Sequence, residues 1–527
     1  MHSNSSLNTQ LQNEDVLDID QHLKNNAQQW PMQIALADSN QQLTWQQLDK
    51  RLNKIANTFI ELGIQPNQRI AILGRNSVDY ATLFLGGLRA GICISPLSTL
   101  SSGEALAGMI NDSEAQLLFV STDYLELIQP HIDLLTGLMT NGIKILEAER
   151  FSEESKLQTL ADLIKDIPDT DPNIMPDLDW GFNLIYSSGT TGMPKGIMQN
   201  RRYRAVENNV IKTLGFGNDS RGLIATPLYS NTTLFFFMST LANGGAVFMM
   251  EKFNTSEYLA ICEREKITHT VLVPVQYERL LKDPLLNATD LSHFQFKCST
   301  SAALHKPIKE ELLKRWPHGG LWEFYGMTEG GVNCCLVAHE RPDKLHTVGQ
   351  PGEGCELCII DDNGKEVASG ESGEVVGHCD RIMVGYHNRP EAIEEANWYN
   401  EEGKRFHRSG DIGWLDDENF LHLLDRKKDV IISGGFNIYA IDLERVLLSH
   451  ENIADAAVIA TPSDQWGETP LAFVVLTKES KVGGEELRTW ANNQLGKAQR
   501  ISDIRFIDEL PRSPIGKVLK RELRDKI

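Results

Sequence analysis

The sequence lacks an excess of basic residues, and this absence excludes one large class of function. Its 51 lysines and arginines are outnumbered by 72 aspartates and glutamates, which leaves a net charge of −21. A protein that binds nucleic acid needs a basic face to match the phosphates. We therefore expect no nucleic-acid partner. The fractions of hydrophobic residues (41%) and charged residues (23%) are typical of a soluble globular protein.

The cysteines lack the spacing of a zinc site or of a disulfide framework. Eight cysteines are scattered irregularly over 527 residues, and Cys355 and Cys358 form a single CxxC pattern. A structural zinc site needs a second pair of ligands at a suitable spacing. We therefore interpret most of these thiols as small buried hydrophobic groups.

Targeting and membrane signals are also missing. Residues 1–20 are rich in Asn, Gln, Ser and Asp, without the basic and apolar regions of a secretory signal, and we expect a flexible tail there. The sequence does not end in a peroxisomal SKL signal. Residues 222–250 carry no charge, but Pro227 and Gly244 interrupt the run, so two strands and a buried helix explain it better than a membrane span. We expect a cytoplasmic protein without an integral membrane segment.

Strand-like and helix-like segments alternate along the first half of the chain. Thr44 and Gln47 form a capping box that predicts a helix start, and residues 69–73 follow as a buried strand. This alternation predicts parallel sheets covered by helices. We predict an α/β fold with a large N-terminal domain (21–425) of parallel-rich sheets that contains a β-rich subdomain (345–425). A small, mobile α+β C-terminal domain (426–527) follows it.

A loop rich in glycine and hydroxyl groups, residues 187–196, follows the apolar segment 182–186. Glycines let the backbone approach an anion closely, successive N–H groups form an anion-binding nest, and Lys195 adds a positive charge. The Walker pattern is absent because no Gly-Lys pair is followed by Ser or Thr. The loop therefore predicts polyphosphate binding, but not an ordinary P-loop NTPase.

The loop and four later motifs together resemble the adenylate-forming superfamily, which includes acyl-CoA synthetases. The motifs are Tyr325-Gly-Met-Thr-Glu329, Arg408-Ser-Gly-Asp411, Asp425-Arg-Lys-Lys-Asp429 and Pro514-Ile-Gly-Lys517. They occur in the order of that family over roughly residues 20 to 527. The resemblance implies that ATP activates a carboxylic acid as acyl-AMP, that pyrophosphate leaves, and that the acyl group passes to CoA. It implies ATP, Mg²⁺ and CoA as cofactors.

The resemblance assigns roles to individual residues. Thr190 and Glu329 would hold Mg²⁺, and Lys517 would bridge the acyl carboxylate and the α-phosphate. Thr190, Lys195, Glu329 and Lys517 form the implied catalytic set. The implied nucleotide and CoA set is Ser187, Ser188, Gly189, Thr190, Thr191, Gly192, Lys195, Ser301, Ala302, Ala303, Glu323, Phe324, Tyr325, Gly326, Met327, Thr328, Asp411, Arg426, Lys428, Ser433, Gly434, Gly435 and Lys517.

Lys517 and the glycine-rich loop lie in different predicted domains, so they meet only when the small domain closes on the large one. In the family, the small domain then rotates for the thiol step. The resemblance places the pivot at Lys428 and implies that Ser433, Gly434 and Gly435 line the thiol tunnel. Such a mechanism uses one conformational closure for each half-reaction.

The identity of the acid and of its acceptor depends on the segment 227–250. This segment contains no acidic residue to pair with a substrate ammonium, and no carrier-protein segment follows Lys517. Both features favour an acyl-CoA ligase over an enzyme that loads a carrier protein or another acceptor, the alternative that stays open. A non-catalytic nucleotide-binding relative is a further alternative, and the intact set of Lys195, Glu329, Asp411 and Lys517 argues against it.

The pocket for the acid is predicted to be largely apolar, with a few amides. Many family members have a histidine where Ser230 or Asn231 stands here, so the gate of the acyl site differs in this chain. An aryl or medium-length acyl group would suit such a pocket. The expected partners are the acid and CoA, with a homodimer as the candidate assembly. The candidate pocket residues are Asn231, Phe235, Val275, Gln276, Tyr325, Met327 and Gly331.

Overall fold

The structure is a computed structural model. It describes residues 17–139, 142–147, 157–187, 194–211, 214–434, 436–478, 480–496, 499–513 and 516–527. The helices are α1 Ile19–Gln29, α2 Trp45–Glu61, α3 Val78–Arg89, α4 Gly103–Asp112, α5 Thr122–Ile128, α6 Leu160–Ile164, α7 Arg201–Ile211, α8 Asn231–Ala242, α9 Thr255–Arg264, α10 Pro274–Lys282, α11 Lys306–Arg315, α12 Pro390–Glu395, α13 Ala440–Leu448, α14 Gly484–Asn492 and α15 Lys520–Arg524.

The strands of the part before residue 352 are β1 Ile34–Ala37, β2 Gln42–Thr44, β3 Arg69–Leu73, β4 Cys93–Pro96, β5 Ala115–Val120, β6 Ile143–Ile145, β7 Gly181–Tyr186, β8 Gly196–Asn200, β9 Arg221–Ile224, β10 Ala246–Met249, β11 His269–Leu272, β12 Phe296–Ser299, β13 Trp322–Gly326, β14 Asn333–Val337 and β15 Gln350–Pro351. The later strands are β16 Cys355–Ile360, β17 Gly373–Cys379, β18 Gly385–Tyr386, β19 Asn397–Tyr399, β20 Arg405–Leu415, β21 Leu421–Arg426, β22 Ile431–Ser433, β23 Phe436–Ile438, β24 Ile453–Ser463, β25 Gly467–Leu476 and β26 Asp503–Phe506.

Two large sheets with parallel centres form the N-terminal part. One has the order β15-β14-β13-β12-β11-β9-β10-β1-β2, and the other has the order β18-β8-β7-β4-β3-β5-β6. Antiparallel strands lie at the edges, where β14, β15 and β2 end the first sheet and β8 and β18 end the second. The two sheets share one hydrophobic core, which includes Trp45, Phe59, Phe84, Phe182 and Phe236. The predicted α/β fold class with parallel-rich sheets is confirmed.

Local sequence signals account for the elements at this core. Thr44 Oγ1 accepts from the Gln47 N–H, and Gln47 Oε1 accepts from the Thr44 N–H, so the capping box opens α2. The charge-free segment 222–250 forms β9, α8 and β10, which are almost wholly buried. Within the described ranges, no helix is long and apolar enough to cross a membrane.

An antiparallel sheet follows, with the order β16-β17-β20-β19 and with β21 paired to β20. The last hundred residues form another sheet, β23-β22-β25-β24, in which β26 pairs with β25 in parallel. This C-terminal sheet packs with α13 and α14 around a core of its own, which includes Ile431, Leu443, Val458, Val474 and Leu487. The division into β-rich and C-terminal parts therefore follows the predicted pattern, and the precise domain boundaries stay a prediction.

Candidate active site

A cavity of about 830 Å³ lies where the two large sheets, the antiparallel sheet and the C-terminal part meet. Its lining includes the start and end of the glycine-rich loop, the end of β13 and the loop before α15. Residues predicted from five separate motifs therefore border one space. The members of the predicted set that line it are Ser187, Lys195, Asn231, Phe235, Ser301, Phe324, Gly326, Met327, Thr328, Glu329, Arg426 and Lys517.

The glycine-rich loop leaves β7 and returns through β8. The Ser187 N–H donates to Lys195 O at 2.9 Å, and the Lys195 N–H donates to Ser187 Oγ at 3.4 Å, so the two ends of the loop are tied together. Lys195 Nζ lies over the Tyr386 ring, 5.1 Å from its centroid. The predicted nucleotide-binding residues Ser188, Gly189, Thr190, Thr191 and Gly192 lie outside the described residues.

Glu329 brings a negative charge to the same end of the cavity. The Tyr386 hydroxyl donates to Glu329 Oε1 at 3.0 Å, and no lysine or arginine in the described part of the chain lies within ion-pair distance of the carboxylate. Burial raises the pKa of Glu329, and Arg426 and Lys195 oppose that change. A half-buried carboxylate without an ion-pair partner, beside a phosphate-type loop, fits a Mg²⁺ ligand.

Tyr325, Asp411 and Arg426 form a connected group beside the cavity. β20 and β21 pair so that Asp411 lies directly opposite Arg426. The Arg426 Nε–H donates to Asp411 Oδ1 at 2.6 Å, and the Tyr325 hydroxyl donates to Asp411 Oδ2 at 2.6 Å. Burial raises the pKa of Tyr325, so its phenol stays neutral. A carboxylate offers about four acceptor positions, so Asp411 retains capacity for two ribose hydroxyls.

The turn after β12 brings Ser301 to the cavity in a strained conformation. Ser301 has a φ of +76°, and its Oγ lies 2.6 Å from Thr232 Oγ1. A non-glycine residue at positive φ persists only where the surroundings enforce it. Ala302 and Ala303 continue the turn but are not among the lining residues. The Glu323 carboxylate is buried, pairs with Lys309 and accepts from the Leu304 N–H, so it has structural partners instead of facing the cavity.

The loop before α15 brings Lys517 to the same cavity as Lys195 and Thr328. Gly516 has a φ of +77°, and a Cβ there would lie 2.9 Å from Val275 Cγ1 on α10. The C-terminal part is therefore closed against the N-terminal part. Desolvation in the surrounding cleft and repulsion by the Arg426 cation lower the pKa of Lys517 to about 8. Part of the side chain is still exposed to solvent.

The described residues that are predicted for the thiol step do not line the cavity in this arrangement. Lys428 is exposed, and desolvation lowers its pKa. Ser433 is buried in β22, and Gly434 has a φ of +56° and packs on Trp466. None of these three lines the cavity, and Gly435 lies outside the described residues. The closure seen here thus brings Lys517, and not the predicted tunnel residues, to the part of the cavity that contains Lys195 and Thr328. This part is called the nucleotide end.

The part of the cavity around the predicted pocket residues Asn231 and Phe235 is called the acyl end here. It contains charged residues that the sequence motifs did not reveal. Asn231, the first residue of α8, accepts from Arg204 Nη2 at 2.5 Å and from Gln199 Nε2 at 3.2 Å. Arg204 Nη1 also forms a buried ion pair with Glu207 Oε2 at 2.6 Å. Arginine and glutamate three residues apart on the helix after the glycine-rich loop are the sequence signal that could have pointed to this site.

Like Tyr325, three other predicted pocket residues do not line the cavity, and a buried histidine does. Gln276 caps α10, accepting from the Val273 N–H and donating to Ala225 O, while Val275 contacts Gly516. Gly331 has a φ of +80° and packs against His407. His407 lines the cavity, and burial lowers its pKa to about 4, so it is neutral at neutral pH.

Lys195 at the end of the glycine-rich loop, Glu329 and Lys517 of the C-terminal part border one cavity, with Asp411 beside it. This is the arrangement expected of an adenylate-forming enzyme. The chain belongs to the AMP-binding enzyme family, whose model matches residues 23–387, and the model of the AMP-binding enzyme C-terminal domain matches residues 442–517. The predicted family and the prediction of an AMP-forming acid–thiol ligase are confirmed.

Individual relatives are similar over nearly the whole chain. Feruloyl-CoA synthase from Amycolatopsis sp is 30% identical over 506 residues, which cover 94% of this chain and 96% of that protein. 4-Coumarate–CoA ligase CCL1 from Humulus lupulus is 29% identical over 92% of this chain and 89% of its own length. The crystal structure of ATP-bound MatB from Rhodopseudomonas palustris superposes with a TM-score of 0.87 at 25% identity, covering 97% of this chain and 99% of that chain.

Proposed function

We propose that the chain joins an aromatic carboxylic acid to AMP and then transfers the acyl group to the thiol of CoA. The single observation that carries this proposal is the cavity in which Lys517 of the C-terminal part lies with Lys195, Thr328 and Glu329 of the N-terminal part. Its charges match an ATP polyphosphate and an acid carboxylate, two anions that repel each other unless positive groups separate them.

In the first half-reaction, the protein holds ATP so that its α-phosphate faces the acid. Asp411 and Arg426 fix the ribose, and Ser187 and Lys195 hold the β- and γ-phosphates. Lys517 bridges the acid carboxylate and the α-phosphate, so it stabilises the charge that develops as the carboxylate oxygen attacks and pyrophosphate leaves. Glu329 would hold Mg²⁺ with Thr190, and the ion would supply charge neutralisation at the phosphates.

In the second half-reaction, the C-terminal part rotates about Lys428 and removes Lys517 from the cavity. Ser433, Gly434 and Gly435 then replace it and line the path of the CoA thiol. Ser433 and Gly434 do not line the cavity in the present closure, which supports two separate arrangements. Gating of this kind keeps water and CoA from the adenylate until it has formed.

Two observations support an aromatic acid. The apolar side of the cavity includes Phe235 and Phe324, whose ring centroids are 5.7 Å apart in an edge-to-face contact, and Met327 lies beside them. The relatives at 30% and 29% identity are named for feruloyl and 4-coumarate thioesters. An aryl ring would gain the same edge and face contacts that these side chains make with each other.

The test is pyrophosphate release from ATP with a panel of acids, each with and without CoA. The panel contains cinnamate, 4-hydroxycinnamate, benzoate, octanoate and phenylalanine, with an acid-free control. We expect release that depends on an aromatic acid and turns over repeatedly with CoA. Release that stops after one turnover with CoA but resumes with a pantetheinylated carrier protein would contradict CoA as the acceptor. Release with octanoate alone would contradict the aromatic class, and release with phenylalanine alone would contradict a substrate without an ammonium group.

A further inference from the structure

Arg381, which lies between β17 and β18, is a buried cation that the reaction described above does not use. Its side chain is 8% exposed and lines the cavity. Its backbone O accepts from the Gly331 N–H at 2.9 Å, which fixes the segment against the loop after Glu329. Within the described ranges, no carboxylate lies within 4 Å of its guanidinium, and its one side-chain hydrogen bond goes to Cys355 Sγ at 3.6 Å.

The acidic residue that acts on Arg381 electrostatically does not neutralise it. Glu207 influences Arg381 electrostatically, but its carboxylate already forms a 2.6 Å ion pair with Arg204, and both members of that pair are buried. Tyr203 lies next to them, and its ring faces the Arg204 guanidinium at 5.4 Å. Arg204 and Glu207 therefore neutralise each other, and Arg381 has no carboxylate partner among the described residues.

A buried cation without an anionic partner is costly, and the cost is removed when an anion enters the site. Cys379 offers a partial substitute inside the protein. It lies directly opposite Cys355 on the paired strands β17 and β16. The Cys355 thiol and Arg381 hold the pKa of Cys379 below its usual range. A thiolate is a single soft acceptor, however, whereas guanidinium binds a carboxylate through two parallel hydrogen bonds.

We propose that Arg381 binds a second anionic group of the substrate, so that the enzyme prefers aromatic acids with a carboxylate at the end remote from the one that is activated. This inference rests on the proposed function, because it names the substrate of that same cavity. The apolar side chains Phe235 and Phe324 would enclose the ring, Lys517 would meet one carboxylate, and Arg381 would meet the other. An acid without a second carboxylate would leave the Arg381 guanidinium without an anionic partner from the substrate.

The test compares 4-carboxycinnamate with its neutral counterpart, 4-carbamoylcinnamate, which has nearly the same shape. We expect the wild-type kcat/KM to favour the diacid by about 10- to 100-fold, the usual effect of a hydrogen bond between charged groups. Arg381→Met should remove most of this preference by lowering the value for the diacid while changing the value for the amide little. Arg381→Lys, which keeps the charge, should retain part of the preference. Arg341→Met, which removes a half-exposed arginine that is paired with Asp343 and Glu418 away from the cavity, is the matched control.

The outcomes separate the two proposals. Turnover of the amide at least as fast as the diacid by the wild-type enzyme would overturn the role of Arg381 while leaving the ligase intact. An unchanged ratio in Arg381→Met would do the same. If Cys379 were the permanent partner of Arg381, the amide would be preferred and Cys379→Ser would shift the ratio toward the diacid, which would also overturn the inference. No CoA-dependent turnover with any acid would instead contradict the proposed function. The wild-type ratio alone decides the matter if the Arg381 variants fail to fold.

Discussion

At the scale of single residues, the account depends on the charge of Lys517. Its pKa is lowered to about 8 because the cleft desolvates it and because Arg426 and Lys428 repel it, against the attraction of Asp411 and Asp429. The bridging role needs the cationic form, which predominates below pH 8 and is lost as the pH rises through that value. Its protonation therefore sets the upper pH limit of the first half-reaction.

We predict that kcat/KM for ATP, which reports groups of the free enzyme, falls above about pH 8. Lys517→Arg should be slower but should show no fall in this range, because guanidinium keeps its charge. Pyrophosphate release measured from pH 6.5 to 9.5 checks this. Identical profiles for the two enzymes would contradict the assignment.

Glu329 is the second residue whose role can be tested alone. Its carboxylate has one donor, Tyr386, and no ion-pair partner among the described residues. We predict that Glu329→Gln raises the Mg²⁺ concentration needed for half-maximal pyrophosphate release by about 10- to 100-fold, because an amide is a poorer ligand for a hard cation. Glu391→Gln, at an exposed position on α12, is the control. An unchanged Mg²⁺ dependence would contradict a ligand role.

At the scale of elements, the closure depends on the contact between the loop before α15 and α10. A Cβ at Gly516 would lie 2.9 Å from Val275 Cγ1, and the φ of +77° disfavours any side chain. We predict that Gly516→Ala slows adenylation by about 10-fold or more through both effects. The second substitution Val275→Ala removes the clash but not the backbone strain, so the double variant should recover part of the rate. A double variant no faster than Gly516→Ala would contradict this contact as the cause.

Element by element, the sequence predicted the nucleotide end better than the acyl end. Tyr325, Glu329, Asp411 and Lys517 each lie in a short contiguous motif, and the capping box and strand patterns give the local structure directly. The acyl end is assembled from side chains of α7, α8 and the segment after β17, whose meeting depends on tertiary packing. Gln276 was predicted for the pocket as one of its amides, but in the structure its side chain caps α10. No local pattern distinguishes these two uses of an amide.

At the scale of the whole molecule, the proposal requires two arrangements of the C-terminal part that share one active site. Lys428 is the second residue of the 3-10 turn Lys427–Asp429 that follows β21, a position whose N–H has no partner within the turn. We predict that Lys428→Pro permits the present closure, because proline fits a turn that needs no donor, but restricts the dihedral change that rotation requires. Adenylate formation should then stay near wild type, while thioester formation slows by at least about 10-fold, as expected when a gating motion is blocked. Equal slowing of both steps would contradict a pivot at this residue.

The most direct test of the account measures both half-reactions in Lys517→Ala. Adenylation is followed as acid-dependent pyrophosphate release, and thioester formation is followed with supplied acyl-AMP and CoA. Lys526→Ala, near the exposed end of α15, serves as the control. We predict that Lys517→Ala slows adenylation by about 10²- to 10³-fold, the usual effect of removing one stabilising donor, and leaves thioester formation near the wild-type rate. Equal loss of both half-reactions, or unchanged adenylation, would contradict a lysine that enters the cavity for the first step only.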